Sequence, residues 1–348
     1  MTELREADML VRFLVTSAGF LFFFSSVSAH HSDAGIDMES VIALQGVVTD
    51  FNWRNPHVYV TVSVADSGDA EVEWSLQMGT ANGLTRRGWS RDSLKPGDRV
   101  TVRAHASEDR RPYAIIESID REGGLALAPL SAEADVNARA DSLTGNWLAD
   151  ASKLIAYPGG YDGFFSAQLV LTDAARAAQA AYDPLGSENP ESTCDGRATP
   201  AAIVSSRLYM LQFEIIEAEE IIKIRSEYFD EERTIYMDGR DHPDPSELLK
   251  TGHSVGRWED DVLVVDTTNF IAHRSPYQIG IPAGNQKHVI ERYQLIEDGA
   301  RMAVEFILED PEYLAEPLLH SRELVYSPHM TMFQFDCDPD ATSRFLRD

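Results

Sequence analysis

Basic residues are scarce in this chain: 30 Lys and Arg stand against 57 Asp and Glu over 348 residues, a net charge of -27 and an isoelectric point near 4.6. Such a surface repels polyphosphates on average, which argues against nucleic acid as a partner. Cysteine is rarer still, with only Cys194 and Cys337. Neither lies in an activating motif, which argues against a cysteine nucleophile. The longest apolar run, Phe13 to Phe24, is too short for a membrane helix. Familiar catalytic signatures are missing as well: there is no Ser-His-Asp frame, nucleotide-binding loop or HExxH spacing.

The apolar run is preceded by Arg12 and followed by Val27-Ser28-Ala29, the small side chains that signal peptidase accepts. Residues 1–29 therefore read as a signal peptide and the mature chain as periplasmic or secreted. The acid-rich first eight residues are unusual for the front of such a segment, and translation starting at Met9 would remove them. In an oxidising compartment two thiols commonly pair, so a Cys194–Cys337 disulfide is expected, with two buried free thiols as the alternative.

From Val41 the pattern is that of strands: VIALQGVVTDF, HVYVTVSV and AEVEWSLQM, then a helix-like TANGLTRRG, a KPGD turn, DRVTVRAH and PYAIIESI. Five strands with a helix between the third and the fourth give the order of an OB-like barrel over 30–124. Trp53, Tyr59, Trp74 and Trp89 could stack on bases, but alternating aromatics in a small barrel are more often core. Between Arg86 and Arg111 eight basic residues outnumber four acidic ones, a local basic face suited to docking on the acidic remainder of the chain or on a partner protein. Residues 125–142 read as a linker. Over 143–348, Gly145-x-Trp147, one short helix in LTDAARAAQAAYDP and at least eight antiparallel strands, from AIVSSRLYMLQFEII to MTMFQFDCD, suggest a larger calycin- or lipocalin-like barrel. The fold class is all-β.

With AHHS at 29–32, GVV at 46–48, NPH at 55–57, RRGW at 86–89 and the LKPGD turn, residues 29 to about 120 resemble DUF6152, an uncharacterised exported bacterial family. The second half, with YMDGRDHPD, GHSVGRWEDDVLVVDTTNF and HVIERY, resembles uncharacterised exported bacterial proteins that carry this domain alone or in tandem with the first. The resemblance implies architecture and leaves the chemistry open.

Two constellations could carry chemistry. A cut after Ala29 makes His30 the amino terminus, so that one residue offers an amine and an imidazole to copper, with His31 and His57 completing the nitrogen set. The second comprises Arg233, Asp238, Arg240, His242, His253, Arg257, His288, Glu291 and Arg292. Even spacing puts His253 with Arg257, and His288 with Arg292, on shared strand faces that could point into the barrel. These residues would grip the polar end of a small, largely apolar ligand held by the barrel walls. An exported binding protein is the leading expectation. The alternatives are an enzyme using His253 or His288 for proton transfer, or a copper ion, and an assembly protein.

Overall fold

In the computed structural model the described residues are 35–65, 70–124, 138–150, 160–186, 189–196, 199–274 and 280–346. The expected signal segment, His30, His31 and most of the linker lie outside them.

The first barrel is built from β1 (Ile42–Asn52), β2 (Tyr59–Ala65), β3 (Glu71–Gln77), α1 (Ala81–Arg86), β4 (Arg99–Ala106) and β5 (Tyr113–Arg121). It closes in the order β1-β2-β3-β5-β4, with β3 and β5 parallel. This is the order expected for an OB-like barrel, and alternation drives it: Val60, Val62, Leu76, Val100, Val102 and Ile119 are buried in its core. Thr80 caps α1 by accepting from Gly83 N at 3.0 Å. Of the four aromatics, Trp89 is core, Trp53 and Trp74 pack against that core, and Tyr59 is fully buried beneath the second barrel's C-terminal segment.

The second barrel has nine strands: β6 (Gly145–Ala149), β7 (Leu211–Ile216), β8 (Ile221–Ser226), β9 (Glu231–Tyr236), β10 (His253–Glu259), β11 (Val262–Thr268), β12 (His288–Ile296), β13 (Arg301–Glu309) and β14 (Leu318–Tyr326). Neighbours are antiparallel except at the closure, where β9 and β10 run parallel. Gly256 makes that closure possible, because a Cβ there would meet Met237 Sδ at 2.5 Å and Ile235 at 2.7 Å. Trp147 is fully buried and donates from Nε1 to Leu143 O at 2.9 Å.

Beside the strands lie α2 (Gly160–Gln168), which the sequence reading did not anticipate, and α3 (Asp173–Ala181), the expected Ala-rich helix. Two expected strands are different in fact. The start of AIVSSRLYMLQFEII is the short helix α4 (Ala201–Val204), after which Ser205 and Ser206 turn their hydroxyls back onto Ala201 O and Ile203 O at 2.8 and 2.6 Å. MTMFQFDCD forms no strand. Its backbone is satisfied by side chains instead: Phe333 N donates to Glu227 at 2.7 Å and Phe335 N to Asp230 at 2.7 Å.

This last segment joins the barrels. Cys337 is bonded to Cys194, as expected, and Asp338 N donates to Asn55 O at 2.8 Å. The Asn55 side chain, 4% exposed, donates to Phe335 O and Asn82 Oδ1 and accepts from Ala81 N. Arg86 pairs with the fully buried Glu227, and Arg111 donates to Leu346 O and Phe345 O at 2.9 and 3.1 Å. Part of the basic face of the small barrel thus docks on the acidic remainder of the chain. Among the described residues no helix is long and apolar enough to cross a membrane.

Candidate functional site

Strand parity sorts the candidate residues into two groups. On β12, Val289, Glu291 and Tyr293 are buried toward the barrel interior, while His288, Ile290 and Arg292 take the opposite face. The expectation that His253, Arg257, His288 and Arg292 point into the barrel is therefore corrected. They lie outside, because the inward positions of β10 and β11 are taken by Ser254, Leu263, Val265 and Thr267.

Inside, Arg233 on β9 is held by Glu291 through two bonds of 2.6 and 3.1 Å, and it also donates to Thr199 Oγ1 and Tyr293 Oη. The Tyr293 hydroxyl donates to Glu291 at 2.7 Å. Burial works against the charge on Arg233, but the neighbouring carboxylate keeps its pKa above the ordinary value. Glu231 is only partly buried as a residue, yet its Oε2 is shielded from solvent without a hydrogen-bond partner, and burial pushes the carboxyl up to about 7. Burial likewise brings Lys287 down to about 8. The cavity at this level measures about 20 Å³, room for a water and not for a ligand.

Outside, a hydrogen-bonded chain crosses four elements. His253 at the start of β10 meets His242 Nδ1 to Nδ1 at 3.0 Å. His242 Nε2 and His288 Nε2 each lie 3.1 Å from Asp266 Oδ1, and His288 Nδ1 lies 3.1 Å from Glu309 on β13. His288 is held above its ordinary pKa, chiefly by the hydrogen bond to Asp266. Asp266 is correspondingly lowered, first by His288. His253 is lowered, first by its own burial and then by His242. Tyr236 stacks on the His253 ring, and Arg240, paired with Asp238, covers Tyr236 at 3.9 Å. Arg257 and Arg292 are both tied to Glu259 at the far end of the strands.

Sequence reasoning brought His242, His253 and His288 together but missed Asp266 and Glu309, which link them. Asp266 follows the apolar run VLVV and shares its strand face with Val262 and Val264, and nothing in that spacing marks it as a partner of the histidines. His57 precedes β2 and is partly buried, while its proposed copper partners His30 and His31 lie outside the described residues. Among the described residues no three His, Cys, Asp or Glu converge on a metal position. His242 sits in the middle of a chain and turns its two nitrogens to different neighbours.

A groove of about 300 Å³ adjoins the chain on the same outer face. Cross-strand pairing builds it as rows: Ile290, Ile307 and Leu319 in one, continued beyond the groove by Asp266, and Arg292, Glu305 and Ser321 in the next. Leu319 is 66% exposed, so the row presents apolar surface to solvent.

A closed all-β barrel with such a groove is compatible with a binding protein. The chain matches no curated protein. Residues 21–114, ahead of the nine-stranded barrel, match the model of a family of unknown function, DUF6152.

Proposed function

We propose that this is an exported binding protein that holds a small amphipathic molecule on the outer face of the larger barrel, with the apolar body along Ile290, Ile307 and Leu319 and the polar end at His288, Asp266 and His242. The observation that carries this reading is the continuous row running from the carboxylate of Asp266 through three aliphatic side chains. The groove's volume, about 300 Å³, is at the small end of the range for ligand sites. Its polar end offers imidazoles and carboxylates and so suits a hydroxyl or amine head group better than a polyanion, in keeping with the net charge of -27. Export is supported by the apolar run at 13–24 and by the Cys194–Cys337 bond, which suits an oxidising compartment.

Native mass spectrometry of protein purified from its own compartment tests the reading. The wild type should carry a small molecule recoverable by solvent extraction, and Leu319→Glu, at an exposed position, should retain it roughly tenfold less, as expected for losing about 1.4 kcal/mol of apolar contact. Equal recovery from both proteins, or none from the wild type, would count against it.

A second reading is favoured by one feature. Asp266 accepts from two imidazoles at once, the arrangement by which a carboxylate orients a general base. Proton transfer on the bound molecule, with His253 as base and Asp266 orienting it through His242, is the enzymatic alternative.

A further inference from the structure

The segment between β9 and β10 lies against this same site and is attached to the sheet in two different ways. Its second half is held by groups that do not titrate near neutrality: Asn269 Nδ2 donates to Asp244 O and Glu247 O at 2.9 and 3.2 Å, and Leu249 N donates to Asn269 O at 2.8 Å. Its first half, 238–243, reaches the sheet through His242, which touches His253 on β10 and Asp266 on β11, and through Arg240, whose guanidinium lies 3.9 Å over the Tyr236 ring of β9. Gly239, at φ +77°, supplies a turn there that an L side chain would oppose.

We propose that residues 238–243 form a pH-sensitive latch over the polar end of the groove, closed while the His242–His253 pair carries at most one extra proton and opened by the second. This rests on the binding reading for its role in ligand access, but not for the motion itself. The chemistry follows from the contact. Asp266 is an acceptor, so His242 Nε2 carries hydrogen; His242 Nδ1 then accepts from the hydrogen on His253 Nδ1. One added proton leaves a donor and an acceptor between the rings. Two added protons put hydrogen on both Nδ1 atoms, 3.0 Å apart, and the contact becomes a repulsion between cations.

The groups facing the pair bias this balance. Tyr236 stacks on His253 from β9, and Arg240 disfavours the His253 cation while Asp238 and Glu247 favour it. Asp266 faces His242 from β11, and on its other side is His288 of β12, backed by Glu309 of β13. Burial and His242 together hold His253 below its ordinary pKa.

A nitroxide on Asp241→Cys, at an exposed position inside the latch, reads the motion without ligand. Between pH 7.5 and pH 5.0 the ratio of mobile to immobile label should rise roughly tenfold, the change one pH unit gives for a single linked proton. With His253→Gln in the same protein the ratio should no longer depend on pH, because Gln gains no proton, and His242→Gln should behave alike if the first variant folds poorly. An unchanged ratio in the labelled parent, or a pH response in both Gln variants as large as the parent's, overturns the latch. Loss of ligand retention in Leu319→Glu is a separate readout, so groove and latch can fail independently.

Discussion

Two clusters of charged and polar residues lie a few ångströms apart on opposite faces of β12, and they are put together differently. Inside, Glu291 is fully buried and Arg233 is 5% exposed, and every bond is a direct ion pair or a hydrogen bond to Thr199 and Tyr293. Outside, His288 and Asp266 are about 30% exposed on their side chains, and the links are imidazole to carboxylate at 3.1 Å. A buried pair must be complete, because either charge left alone would have neither partner nor water. The outer chain keeps water within reach and can change its protonation at low cost. The inner cluster therefore specifies the barrel, and the outer one is free to change its protonation.

The sharpest way to break this contrast is Glu291→Ala, which strands Arg233 in the interior and should cost about 3–5 kcal/mol in urea unfolding. The double variant Arg233→Met with Glu291→Leu should recover most of that loss, since it removes both charges at once. A loss as large as the single variant's would mean that the pair itself stabilises the barrel.

Glu231 gives the next effect, with opposite sign. Its carboxyl is raised to about 7 by burial against an ordinary value of 4.5, so between those values the folded protein binds a proton that the unfolded chain releases. Stability from this group is full below pH 4.5 and falls as pH rises to about 7. Glu231→Gln should therefore stabilise the protein at pH 8 by up to about 3 kcal/mol and leave it unchanged near pH 4, measured by chemical denaturation at each pH.

The smallest effect belongs outside. Asp266→Asn should change stability by at most about 1 kcal/mol, in line with other partly exposed ion pairs. It should nevertheless bring the His288 titration down toward the ordinary histidine value in NMR of labelled imidazoles, because Asp266 is the main cause of its elevation. The sign is fixed by that elevation: the stabilisation from protonated His288 is present below about pH 6.5 and is lost as pH rises through its higher folded value. A stability loss as large as that of Glu291→Ala would erase the distinction between the two faces.

Much of the fold was legible in the residues. Alternation in VIALQGVVTDF, HVYVTVSV and AEVEWSLQM placed β1 to β3, and the helix before the KPGD turn placed α1, because each element satisfies a local rule of burial or backbone geometry. MTMFQFDCD has the composition of a strand, yet it lies between two barrels where Glu227 and Asp230 supply the acceptors a sheet neighbour would have supplied. The role of Asn55 in NPH was equally hidden, since its partners Phe335 and Asp338 are about 280 residues away in sequence.

At the site the spacing of His288 and Arg292 showed that they share a face, but not which face. Period-two patterning relates neighbours along a strand, and only the filled interior around Glu291 and Tyr293 tells which side is in.

The residues by themselves determined the charge balance, the two β-rich regions and the pairing of two lone cysteines, because composition and local periodicity carry those properties. The tertiary structure alone decided that Arg233 and Glu291 face inward together, that Asp266 gathers His242 and His288 on the outer face, and that the last segment ties one barrel to the other. These depend on contacts between residues far apart in the chain, and the closure of a barrel, not the spacing along it, brings such residues within hydrogen-bonding distance.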